Sequence, residues 1–271
     1  MGFFASLKAQ QAMRAHGKGD IAKAKQLYEE ALAKGLMESR PMLGYALLLI
    51  REGSFEKAMA LLLKTQKAPD LTPDRKSQLF VDYAACCAKT GQLEKGVKLL
   101  ERQHDRTPTG LTYQTLGYLY VEQYDAVNKP VAEELAPVYD EEGNEVPQPT
   151  KAERQAEIDA QWQEGVEKAF ALLQASIDYD DEDPVCLDNM GQALYRIKGD
   201  KVAAKEWFDK AHAEKPGQID SLWFLSRYDL EAGDTAAAID KLETALEGNF
   251  SPLNYADRKM VEDELKRLKG N

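Results

Sequence analysis

The side chains able to do chemistry are few and scattered. The three histidines, His16, His104 and His212, lie far apart, and none has a second His or Cys three or four residues away, the spacing that would put two metal ligands on one helical face. Cys86, Cys87 and Cys186 give neither an even disulfide framework nor a metal spacing. Adjacent cysteines on a helix point to different faces, so they read as small buried side chains of a reduced protein. The acidic run Asp178, Asp180, Asp181, Glu182 and Asp183 begins like a calcium loop, but Asp183 occupies the sixth position, where the sharp turn needs glycine, and Asn189 the twelfth, where a closing Glu is required. It reads as a solvated connection. No phosphate-cradling glycine loop, nucleophile elbow or paired-histidine motif occurs. The expectation is a protein that is not an enzyme and holds neither cofactor nor metal.

Charge narrows the partners. A formal net charge of -11 argues against nucleic acid, whose phosphates require clustered Lys and Arg, and against an anionic membrane surface. No segment approaches the roughly 20 apolar residues of a membrane span. Lys8 interrupts the apolar stretch at the N-terminus, so Met1 to Met13 reads as a helix rather than a signal peptide, and a cytoplasmic protein is expected. With 271 residues and 44% hydrophobic content, the chain can bury a sizeable core.

What positions the side chains is a repeat. Gly19-Asp20, Gly53-Ser54, Gly91-Gln92, Gly199-Asp200 and Gly233-Asp234 recur, with the glycines 34, 38, 108 and 34 residues apart; 108 is two repeats plus an insertion of about 40 residues. Five residues after each glycine stands a small residue (Ala24, Ala58, Gly96, Ala204, Ala238), and four further on a large one (Tyr28, Leu62, Leu100, Phe208, Leu242). Ala31, Ala211 and Ala245 follow at three more, while Thr65 and Gln103 depart from the pattern. Spacings of four and three mark one helical face. The glycine suits the left-handed end of a first helix, and the Asp or Ser after it the N-cap of a second. Pro108, Pro184 and Pro216 mark boundaries between repeats.

On these residues the chain resembles the tetratricopeptide repeat (TPR) family. Tyr113, Leu116, Gly117 and Tyr120 reproduce the first half of the family pattern with Tyr in place of Trp, and Ala204, Phe208, Ala211 and Pro216 the second half. Six repeats start near Ala5, Ser39, Ser77, Gly110, Pro184 and Ile219, the first the weakest in phase, with Gln11 where Leu is usual. The resemblance implies an all-α fold: a right-handed superhelical solenoid of antiparallel helix pairs, about six TPR-like repeats forming a single unit over 1–271. Residues 252–269 are expected as a capping helix opened by Ser251-Pro252, covering the apolar face left by the last repeat. Residues 125–165 are expected as an insertion within the fourth repeat, with an acidic helical turn around Glu133 and Glu134. A small β-hairpin then pairs Val138 and Tyr139 with Val146 across Gly143-Asn144, and a helix capped by Thr150 runs to about Tyr179.

The resemblance also implies where a partner would bind. In this family positions 2, 5, 6, 9, 12 and 13 of each repeat face a concave groove. Carried over, these give Leu43, Leu47, Ile50 and Arg51 in the second repeat, Val81, Ala85 and Lys89 in the third, and Gln114, Tyr118 and Val121 in the fourth. The fifth contributes Asp188, Asn189, Gln192, Tyr195 and Arg196, and the sixth Trp223, Phe224 and Arg227. Ala9 and Met13 occupy the places where carboxylate-reading members hold Lys and Asn, so that clamp is absent. Asn189 matches a family asparagine whose amide can bond a ligand backbone as donor and acceptor. With Arg196 and Arg227 nearby, a peptide bearing an acid or amide group would be satisfied, and Tyr118, Tyr195 and Trp223 would serve as anchors. The implied function is a non-catalytic scaffold or adaptor that binds a protein or extended peptide, the alternative being a peptide-sensing regulator that changes superhelical curvature on binding.

Overall fold

The computed structural model describes residues 3–142 and 144–270. Twelve helices form six antiparallel pairs: α1 (Phe3–Gly17) with α2 (Ile21–Ala33), α3 (Ser39–Arg51) with α4 (Phe55–Thr65), α5 (Pro73–Lys89) with α6 (Leu93–His104), α7 (Gly110–Tyr124) with α8 (Lys151–Tyr179), α9 (Pro184–Gln192) with α10 (Lys201–Glu214), and α11 (Ile219–Glu231) with α12 (Thr235–Glu247). A last helix, α13 (Arg258–Lys269), packs on α12.

Most of the repeated residues do what their spacing predicts, the exception being Ser54, which stands at the N-cap of α4 but makes no side-chain cap hydrogen bond. Gly19, Gly53, Gly91, Gly199 and Gly233 all have φ between +67° and +82°, left-handed conformations that cost glycine little. Asp20, Asp200 and Asp234 then cap the second helices, each side chain accepting a backbone N–H three residues on, which satisfies a donor the helix start leaves free. Ala24, Ala58, Ala204 and Ala238 are fully buried between paired helices, as are Ala31, Ala211 and Ala245. A Cβ at Gly96 would sit 2.9 Å from the Ala84 carbonyl oxygen, so that pair is closer than alanine allows.

First helices also touch one another, α1 with α3, α3 with α5, α5 with α7 and α7 with α9, so one wall of the solenoid is built from them. Each bears on the second helix of the preceding repeat as well, which joins neighbouring pairs into a superhelical stack.

Between α7 and α8 the chain forms a short 3₁₀ turn (Ala126–Asn128) and a two-stranded antiparallel hairpin, β1 (Val138–Tyr139) and β2 (Glu145–Val146), with Val138 opposite Val146. The Asp140 carboxylate accepts from the backbone N–H groups of Glu142 and Asn144 and so orders the hairpin turn; Gly143, expected in that turn, lies outside the described residues. The helical turn expected around Glu133 and Glu134 is absent. Pro130 precedes it, and α8 captures its backbone instead: Arg154 Nη2 donates to the Glu133 carbonyl at 2.7 Å, and Gln155 Oε1 accepts from Ala132 N at 2.9 Å. Thr150 and Glu153 cap α8 reciprocally.

The final helix starts at Arg258, not Pro252. Asp257 accepts from Met260 N at 2.7 Å and is the true N-cap. Residues 248–257 stay irregular because side chains elsewhere engage them. A third departure from the sequence expectation is a π-helical turn, Ala193–Ile197, that continues α9 and carries Arg196.

Candidate functional site: the inner wall and its cavity

The first helices and the 248–257 segment enclose a cavity of about 540 Å³. Its wall includes Gln78 and Asp82 from α5, Gln114, Thr115 and Tyr118 from α7, Asp188 and Asn189 from α9, and Asp220 from α11, and 248–257 contributes Ser251, Leu253 and Asn254. A second hollow of similar size, sharing Val81, Asp82 and Leu253, continues toward Leu47, Ile50 and Arg51. The 248–257 segment thus crosses the inner wall as a strap. Leu253 packs against the cluster of Val81, Leu116 and Tyr118, and Asp220 holds the strap by accepting from Asn254 Nδ2 at 3.0 Å and Ala256 N at 3.1 Å.

Of the twelve site residues read from the sequence, Leu47, Arg51, Gln114, Tyr118, Asp188 and Asn189 line these two hollows. Lys89 lies beside them, its Nζ 5.5 Å from the centre of the Tyr118 ring. The other five are engaged within the chain. Gln192 donates to Asp188 Oδ2 at 2.7 Å and accepts from Arg196. Tyr195 packs among Phe208, Phe224 and Tyr228. Arg227 lies 4.1 Å above the Trp223 ring and pairs with Glu264 at 2.6 Å. Arg196, with an 8% exposed side chain, is bound to Glu122 and Asp125, both at 2.8 Å. Asn189 spends its donor on the Gln114 carbonyl at 2.9 Å; glycine at 117 permits this, since a Cβ there would lie 2.7 Å from Asn189 Nδ2.

The charge of the cavity is therefore the reverse of that expected. Both arginines meant to receive an acidic ligand are neutralised, because neighbouring repeats and the last helix supply carboxylates. The cavity instead presents Asp82, Asp188 and Asp220, which are 6%, 2% and 4% exposed. Asp82 accepts only from Gln78 Nε2, and burial pushes its carboxyl up to about 7. Burial, then the like charge of Asp220, raises Asp188, and burial raises Asp220. Asp82 and Asp220 stand at positions 6 and 2 of their repeats, and Thr115 at position 6 of its own, so the family rule itself pointed to them. The strap carried no such signal, since it follows the last repeat and reaches the wall only through tertiary contacts.

The remaining titratable groups have structural surroundings. Burial raises the thiols of Cys86 and Cys186 to about 12, away from the reactive thiolate. Asp183 of the acidic run caps α9, accepting from Val185 N and Cys186 N. Among the described residues no group of three or more His, Cys, Asp or Glu converges to hold a metal ion, and no helix is long and apolar enough to cross a membrane.

Comparison with known proteins agrees with this architecture. Residues 10–72 match the model of the tetratricopeptide repeat family. A thermophilic TPR protein of Thermus thermophilus superposes with a TM-score of 0.60 at 16% identity, covering 86% of this chain and 100% of its own. PilW, described as a widely conserved type IV pilus biogenesis factor, gives 0.59 at 15% identity over 98% of this chain and 100% of its own. The chain has the fold of a tetratricopeptide repeat solenoid, and residues 10–72 carry the family's sequence pattern. Identities this low establish a shared fold, not a shared partner. No curated protein matches the sequence.

Proposed function

We propose that the protein is a non-catalytic scaffold that binds an extended segment of a partner protein along its inner wall. The observation that carries this reading is the roughly 540 Å³ cavity between first helices, walled by polar side chains from four successive repeats. Such a wall offers anchors at intervals along an extended chain, with Tyr118 as a rigid aromatic surface and Asn189 Oδ1 as an acceptor. Selecting phage-displayed random dodecapeptides on the intact protein tests it. Enriched peptides should bind at least tenfold more weakly to Leu111→Trp, which fills the cavity mouth from a side chain already 38% exposed. Binding that survives in Leu111→Trp and is lost in a Val138/Tyr139/Val146→Ser variant would move the site to the hairpin.

One feature favours the sensing alternative as a second reading. The strap ties α11 to the wall of α5 and α7 through Asp220 and Leu253, so a segment that displaced it would free the repeats to change curvature. Small-angle scattering with and without a selected peptide checks this: a changed radius of gyration supports the sensor, and an unchanged one leaves a static scaffold.

A further inference from the structure

Three buried carboxylates facing one cavity would ordinarily each have a cation. Among the described residues, none of Asp82, Asp188 and Asp220 lies within ion-pair distance of a Lys or Arg, although sixteen other such pairs are formed. Leaving an acid buried without a counter-charge costs stability. Asp220 is offset by the strap and Asp188 by Ser221 and Gln192, but Asp82 has only one amide. An independent observation falls in the same cavity. Thr115, 2% exposed, and Tyr118, 5% exposed, line it, and neither hydroxyl has a hydrogen-bond partner among the described residues. Neither oxygen is sealed off within the protein, so both hydroxyls open onto the space and can bond what enters it. Acceptor carboxylates and idle hydroxyls around one space fit an incoming group rich in donors.

Building on the peptide-binding reading, we propose that this cavity receives a cationic side chain, arginine or lysine, of the bound segment. Asp82 and Asp188 are its counter-charges, and Thr115 and Tyr118 accept its remaining N–H groups. A guanidinium spreads its donors over a width that separated carboxylates can share. Lys89 sits over the Tyr118 ring and forms no ion pair with the three acids, and Arg196, whose charge reaches Asp188 and Asp220, is itself paired with Glu122 and Asp125, so Asp82 is the acid left without a nearby cation. A cationic guest reverses the ligand charge that Arg196 and Arg227 suggested.

N-acetyl-arginine amide, titrated into the full chain and followed by NMR of the Val81, Thr115 and Val185 methyls, tests it, with the neutral isostere N-acetyl-citrulline amide as control. The arginine probe should shift these methyls at least tenfold more tightly than citrulline, and Asp82→Asn should abolish the difference. Thr115→Val, which keeps the shape of the side chain, should weaken the arginine probe about three- to tenfold. Equal response to both probes, or none, overturns the proposal, as does discrimination that survives in Asp82→Asn with Asp188→Asn. Dodecapeptides that depend on the cavity but lack Arg and Lys would also overturn it while leaving the peptide-binding reading in place. Arginine binding without any cavity-dependent peptide would reject that reading instead.

Discussion

The second and fourth repeats each form an antiparallel helix pair and differ in what they turn inward. At the same three inner positions the second has Leu43, Gly44 and Leu47, whereas the fourth has Gln114, Thr115 and Tyr118. Leu43 belongs to a continuous apolar cluster running from α1 to α5, which includes Tyr28, Met42 and Leu62. The fourth repeat faces Asp188 and Asn189 across a cavity. The outer helices hardly register the difference: Leu62 and Leu173 are equally buried at equivalent places. A solenoid keeps its stacking residues and its inner wall on separate faces. Its chemistry is therefore set by a few inward positions that the fold does not need.

Substitutions should separate the two regions. The largest effect belongs to the packing that both share: Leu62→Ala, which truncates a side chain with 0% exposure, should cost about 2–5 kcal/mol in denaturant unfolding while leaving arginine-probe affinity unchanged in the folded protein. Leu253→Ala should cost less, about 1–2 kcal/mol, because the side chain is only partly buried. It should also speed proteolytic cleavage between residues 248 and 257, a signature that Leu62→Ala would not share.

A third effect depends on pH. The folded-state pKa of Asp82, about 7, lies above the ordinary aspartate value of 3.8, so between those values the native state binds the proton that the unfolded chain releases. Its contribution to stability is full below about pH 4 and is lost as pH rises through 7. Asp82→Asn should therefore match the parent at pH 4 and exceed it by about 4 kcal/mol at pH 8. Equal stability at both pH values would show that the carboxylate is not desolvated. The smallest effect lies outside the wall. Val138, Tyr139 and Val146 are 50%, 61% and 39% exposed, so changing all three to Ser should move the unfolding free energy by no more than about 0.5 kcal/mol.

The stacking half of the molecule was legible in the sequence because it obeys local spacing. Ala204, Phe208 and Ala211 announce a buried helical stripe, Gly199 its turn and Asp200 its cap, and Thr150 through Tyr179 reads as one helix for the same reason. The inner wall was legible by position but not by partner. Arg196 looked available because Glu122 and Asp125, more than 70 residues away in sequence, meet it only in the folded chain. The strap was invisible for a related reason: Ser251-Pro252 has the local chemistry of a helix start, and only Asp220 on α11 shows why the chain stays open until Asp257.

If the inner wall, and not the hairpin or the outer helices, receives a basic partner segment, backbone NMR of the full chain with a selected dodecapeptide will show it. The largest shifts should fall within residues 78–85, 111–118 and 185–189, reduced at least tenfold when the peptide's Arg or Lys is replaced by norleucine. Shifts confined to residues 138–146 or to the second helices would contradict binding at the wall.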